Sequence, residues 1–218
     1  GVIVMREPDR PTPEDLLEQI AADEDGGPHG PTGRGALHVF LGSAPGVGKT
    51  WAMLNEARRL RDTGVDIVCG YVETHGRRET EAQIGDLEVI PRKRITYHGV
   101  VVEEMDLDAI LARNPAVCLI DELAHTNVPG NQHGKRWQDV ELLRDAGIDV
   151  LATLNIQHLE SLNDIVEAIT GVRVRETVPD GILDEPTTVE LIDLPPDVLR
   201  RRMREGKIYP DDRATVAL

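Results

Sequence analysis

One stretch of this chain constrains its fold more than any other: Leu37–Leu41, a short apolar run, leads straight into Gly42-Ser43-Ala44-Pro45-Gly46-Val47-Gly48-Lys49-Thr50. A Gly-rich turn between a buried strand and a helix start is the phosphate-binding arrangement. Gly46 and Gly48 carry no side chain, so backbone N–H groups can turn toward phosphate oxygens. The helix opening near Lys49 adds the positive end of its dipole. Lys49 is placed to neutralise β- and γ-phosphates, and the Thr50 hydroxyl to reach Mg²⁺. The expected ligands are ATP and Mg²⁺, with Gly42 to Thr50 as the binding loop. One position departs from the strict pattern: Ser43 stands where glycine is usual, with Gly42 just before it.

A metal partner is expected at the end of another buried strand. Ala116–Ile120 is uninterruptedly apolar, and Asp121 and Glu122 follow it. Ligands of open α/β sheets bind at the carboxyl ends of strands. Asp121 is therefore read as the second Mg²⁺ residue beside Thr50. Glu122 is the candidate base for activating water. An acidic residue there also suits a switch that does not hydrolyse. The same pair predicts an extra strand between the two nucleotide-binding strands.

The rest of the pattern alternates strand and helix. Strands are expected at Asp66–Val72, Arg94–His98, Ile148–Leu154 and Val189–Leu194. Helices are expected at Lys49–Thr63, after Asp106 as cap, at Lys135–Ala146, and across Leu159 to Ile169, stopping at Gly171. Strands joined by helices imply a parallel sheet covered on both faces. The expected class is α/β, a P-loop NTPase-like, mostly parallel sheet. Residues 1–36 read as an N-terminal helix (Thr12 cap, with Leu16, Leu17 and Ile20 on one side) and a Gly/Pro-rich linker. Residues 37–194 form the nucleotide-binding domain, and 195–218 a C-terminal helical extension with an Arg-rich helix near 197–205.

Glu73, His75 and Arg77 follow the second strand on the same edge, where they can read a γ-phosphate or serve as an ordinary polar loop. Thr153 and Asn155 end the fifth strand there. His125 and His158 lack the converging ligands a metal site needs and read as satisfied loop histidines. Lys135 and Arg136 can supply positive charge to a phosphate or to a partner domain, or read as a solvated helix start. Cys69 and Cys118 sit in apolar strands, as buried reduced thiols do.

Composition narrows the function. The formal net charge is −15, from 24 Lys+Arg against 39 Asp+Glu, and aromatics are 3%. A nucleic-acid role needs a basic face and stacking aromatics, and neither pattern is present. No apolar run approaches the roughly 20 residues that span a bilayer.

At this point a resemblance carries further than the loop. Val72-Glu73-Thr74-His75-Gly76-Arg77, Asp121 to Asn127, Lys135-Arg136-Trp137-Gln138-Asp139, Asn155 to Asp164, Arg175 to Asp180 and Asp193 to Asp197 occur in this order in one family. The chain resembles the N-terminal cytoplasmic domain of KdpD, the osmosensitive potassium-responsive sensor histidine kinase of bacteria. The resemblance implies an ATP-binding regulator of a kinase and phosphatase balance. In that family a universal-stress-protein-like domain, four membrane helices and a kinase module follow. The kinase acts on the response regulator KdpE, which controls a high-affinity potassium pump. The resemblance thus implies a fragment: the cytoplasmic part of an inner (plasma) membrane protein. Two other functions compete with it. One is a stand-alone ATPase or small-molecule kinase using Asp121-Glu122, and the other a docking module in which nucleotide is incidental.

Overall fold

A computed structural model describes residues 33–171, 173–184, 187–193 and 201. The helix expected after Thr12, the linker up to residue 32, and all but residue 201 of the Arg-rich helix lie outside the described residues.

Six strands form one sheet: β1 (Leu37–Gly42), β2 (Ile67–Tyr71), β3 (Glu88–Val89), β6 (Val117–Ile120), β7 (Asp149–Asn155) and β8 (Thr187–Ile192). Their order is β3-β2-β6-β7-β1-β8, and every pairing is parallel. β7 stands between β1 and β6, as the Asp121-Glu122 pair predicts. The class is α/β, with helices on both faces.

Strand side chains alternate between faces, and each face builds its own core. Leu37, Val39, Leu41, Cys118, Ile120, Val150 and Ala152 belong to one cluster. It is covered by α3 (Leu107–Arg113), through Ile110, and by α4 (Arg136–Asp145), through Val140 and Leu143. Phe40, Cys69, Val117, Leu119 and Leu151 belong to the other cluster, covered by α1 (Lys49–Asp62) through Met53, Leu54 and Ala57. Two-sided burial explains why these strands read as nearly continuous apolar runs.

The helix boundaries have local causes. Gly48 opens α1 in the left-handed region at φ 107°. The Asp106 side chain accepts from the Ala109 N–H at 3.0 Å, the expected N-cap of α3, and Asn114 closes that helix at φ 48°. The Gln138 side chain accepts the Lys135 N–H at 3.1 Å, holding the first turn of α4.

Three differences from the sequence reading stand out. The strand expected at Arg94–His98 is β4 (Lys93–Tyr97). It lies outside the main sheet, in an antiparallel hairpin with β5 (Val100–Glu104). The turn is made by His98 and Gly99, both at positive φ, which is the backbone a tight hairpin requires. Second, the two-residue β3 extends the edge beside β2; it follows the short α2 (Arg78–Ile84), which lies in the polar stretch from Glu73 to Asp86 that reads as a loop and a short helix. Third, α5 (Glu160–Thr170) buries Leu159 and packs Leu162 on the core, while Ile165 and Ile169 are 54% and 79% exposed. Leu159 and Leu162 pack on the core; Ile165 and Ile169, one and two turns on along the same face, are left exposed.

Both cysteines are free and buried within strands. Burial pushes the Cys69 thiol up to about 12 and the Cys118 thiol higher still. Neither thiol is therefore expected to react with a water-soluble disulfide reagent at pH 8 in the native chain, and both should react in denaturant. Stoichiometric labelling of the folded protein would contradict this two-sided core.

Candidate functional site at the carboxyl edge of the sheet

β1 ends at Gly42, and the chain folds back over that residue. A β-carbon on Gly42 would lie 2.6 Å from Val47 Cγ2 and 2.7 Å from Lys49 Cδ. Gly46 and Gly48 serve differently, adopting φ 80° and 107°, which L-residues with a β-carbon disfavour. Ser43 has no positive φ, so its position does not demand glycine. Its hydroxyl donates to Asp193 Oδ1 at 3.3 Å. The departure at Ser43 is therefore accommodated, with Gly42 making the close approach.

Lys49 Nζ donates to the Ala44 carbonyl at 2.9 Å, inside the curl of the loop. Burial lowers its pKa to about 8, against the opposing pull of Asp121. On the next residue, the Thr50 hydroxyl reaches the Asp121 carboxylate, 3.0 Å from Oδ2. These two residues are 71 positions apart in sequence, and the sheet brings them together.

Asp121 is 3% exposed and well supplied with donors. The Thr50 and Thr153 hydroxyls and the Glu73 backbone N–H all donate to its carboxylate. The Thr153 oxygen in turn accepts the Glu122 N–H at 3.0 Å. A buried carboxylate is tolerated when its lone pairs are satisfied in this way. Thr50 and Asp121 together offer the hard oxygen atoms that suit Mg²⁺.

Glu122 sits at φ 55°, a left-handed backbone that is uncommon for glutamate. Its carboxylate is 3.7 Å from His75 Nε2 and 3.9 Å from an Arg136 nitrogen. Desolvation, reinforced by the charge of Asp121, pushes the Glu122 carboxyl above its ordinary value. Glu73 accepts from the Tyr71 hydroxyl, the His75 N–H and Arg92. Burial raises the Glu73 carboxyl, but the His75 N–H and the Arg92 charge outweigh it and hold the group below its ordinary value. Arg77 lines the cavity beside the loop. Asn155 ends β7 opposite Gly42, with Oδ1 buried and without a hydrogen-bond partner. Every residue expected at this edge is thus found on it.

Arg136 is a correction. It is not a solvated helix start but wholly buried at the beginning of α4. It donates to the Asp121 carbonyl at 3.0 Å and to Glu104 at 3.4 Å, and lies 3.8 Å over the Tyr71 ring. Arg92 approaches the same ring at 4.5 Å, so the aromatic ring meets two cations. Glu104 is 1% exposed and also holds His125 Nε2 and the Val128 N–H. His158 Nδ1 contacts the Glu176 carbonyl oxygen at 2.6 Å. Both histidines thus have local partners, as expected. Glu104 and Tyr71 escape sequence reading because their role exists only once Arg136 is brought against them. The one available signal is the placement of each at the end of a strand.

The model of the family described as "KdpD: Osmosensitive K+ channel His kinase sensor domain" matches residues 33–218. The chain belongs to the KdpD family. It is 58% identical over 212 residues to the sensor protein KdpD of Escherichia coli K12, covering 97% of this chain and 23% of that protein. It is 50% identical over 190 residues to the sensor protein KdpD of Mycobacterium tuberculosis H37Rv, covering 87% and 22%. The putative sensor protein KdpD of Synechocystis matches at 53% over 188 residues, covering 86% of this chain and 51% of that protein. The chain therefore spans between about a fifth and a half of these relatives and corresponds to a part of a KdpD-type sensor protein. Among the described residues, no helix is long and apolar enough to cross a membrane.

Glu104 gives the site's supports a testable pH signature. Burial raises its carboxyl, but the His125 ring, the Val128 N–H and Arg136 outweigh that and hold it below the ordinary value of 4.5. A group with a lowered folded-state pKa stabilises the protein above its unfolded value and loses that contribution as pH falls through the folded one. Glu104→Gln is expected to cost about 3 kcal/mol at pH 7, the scale for breaking a buried pair. It should also flatten the stability difference between pH 7 and pH 4. Urea unfolding at the two pH values measures both, and an unchanged midpoint at pH 7 would contradict the assignment.

Proposed function

We propose that this chain is the ATP-binding regulatory domain of a KdpD-type sensor histidine kinase. The observation that carries the reading is the contact of the Thr50 hydroxyl with the Asp121 carboxylate, at the mouth of a Gly-rich loop that also holds Lys49. In this reading the N–H groups of residues 46–50 receive the β- and γ-phosphates. Lys49 exchanges the Ala44 carbonyl for phosphate oxygen, regaining a full charge partner in place of a neutral one. Thr50 and Asp121 would hold magnesium, which offsets the negative charge of the phosphates when bound. Asn155, which can donate its side-chain N–H, and His75, beside Glu122, would respond to the terminal phosphate.

The regulatory output would pass to the remaining parts of the parent protein: a universal-stress-protein-like domain and a membrane-anchored kinase module. The response regulator KdpE would follow, and through it expression of a potassium uptake pump. A second reading, an ATPase in its own right, is favoured by Glu122. Its carboxyl is raised above its ordinary value by desolvation and by Asp121, which improves it as an acceptor of a proton from water.

Calorimetric titration with Mg-ATP and Mg-ADP tests the first reading. Lys49→Ala is expected to weaken ATP binding at least 100-fold, about the 3 kcal/mol scale of a charge-assisted contact. Binding that survives in this variant would sink the site assignment. A preference for ATP over ADP means that the γ-phosphate is read. For the second reading, Glu122→Gln should keep ATP affinity and abolish steady phosphate release; release that is absent from the parent chain rejects it.

A further inference from the structure

The cavity beside the loop is larger than a chain of phosphates needs. Its volume is about 780 Å³, toward the upper end of small-molecule sites. Besides the loop it is lined by Trp51, by residues 77–80 at the start of α2, and by Ile192 and Asp193, where β8 ends. Trp51 occupies the first turn of α1 and is 51% exposed. Tyr97 is the other aromatic among the exposed large hydrophobics of the described residues, and it does not line this cavity. The chain has only two tryptophans. An indole left in water costs hydrophobic stabilisation, and Trp51 lines the cavity beside the phosphate loop.

The last residues of β8 complete the lining of that cavity. Ile192 packs against the core cluster that contains α1. Asp193 receives the Ser43 hydroxyl, which ties the end of β8 to the start of the loop. The cavity thus joins cationic Lys49 and the N–H-rich loop to an aromatic face, an aliphatic side chain and a carboxylate acceptor. A flat heteroaromatic group bearing N–H or O–H donors suits the second set, whereas another phosphate there would meet the Asp193 carboxylate.

We propose that Trp51 is the stacking platform for the base of the bound nucleotide, with Ile192 and Asp193 closing that part of the site. The ligand class is then a nucleoside triphosphate, recognised by its base as well as its phosphates, and not a bare polyphosphate. This rests on the phosphate-binding reading of the loop. Base–aromatic stacking tolerates any base, so Trp51 supplies affinity, and the Asp193 acceptor supplies whatever preference there is among bases.

The test titrates the chain with Mg-ATP and with Mg-tripolyphosphate, following heat and tryptophan emission. The wild-type chain should bind ATP more tightly, and ATP alone should quench emission. Trp51→Ala should lose roughly 10-fold or more in ATP affinity, as stacked bases do on alanine substitution, with tripolyphosphate affinity unchanged. Trp51→Phe should restore most of the loss. Equal ATP affinity in wild type and Trp51→Ala overturns the base site while leaving the loop reading intact. So does an equal loss for both ligands. If neither ligand binds the wild-type chain, the loop reading falls and the base site falls with it.

Discussion

The fold's carboxyl edge is organised around one buried carboxylate. Asp121 emerges from the central strand β6 into a place where water cannot solvate it, and it survives there because protein groups replace water. Two threonine hydroxyls and a backbone N–H converge on its oxygens, and Arg136 holds its carbonyl. Each donor comes from a different part of the chain: α1, the turn after β2, α4 and β7. Satisfying this one residue, its charge by three of these segments and its carbonyl by the fourth, therefore fixes their relative positions. The loop at Gly42–Thr50 is held in register with the rest of the edge through that requirement.

Behind it stands a second buried charge arrangement. Arg136 is clamped between the Tyr71 ring, the Asp121 carbonyl and Glu104. Glu104 ends β5, in a hairpin that belongs to no part of the main sheet. Buried charges are stable only with close partners, so the hairpin is anchored to the site through its last residue. The valines at the far end of β5, Val100 and Val101, are exposed.

Much of this architecture was legible in the sequence because it follows from periodicity. The buried strands, α1, α3 and α4 announced themselves through apolar runs and caps, and Asp121 and Thr50 through their places after a strand and after a Gly-Lys pair. The separate hairpin was harder to read. Lys93–Tyr97 and Val100–Glu104 carry charges and exposed valines, so neither has the pattern of a sheet strand buried on both faces. Arg136 was misread for a different reason. A cation at a helix start usually faces water, and only three-dimensional proximity to Glu104, Tyr71 and Asp121 reverses that preference. Trp51 lacked a signal because a lone aromatic in a first helical turn fits a core position equally well.

The backbone of Glu122 carries one further consequence. At φ 55° a glycine or asparagine would sit with less strain than glutamate, by roughly 1 kcal/mol. Drift toward greater stability at this position would therefore remove the carboxylate. A glutamate held there keeps a carboxylate beside His75 at the expense of backbone ease, so a stability screen of this chain would favour Gly or Asn at this position.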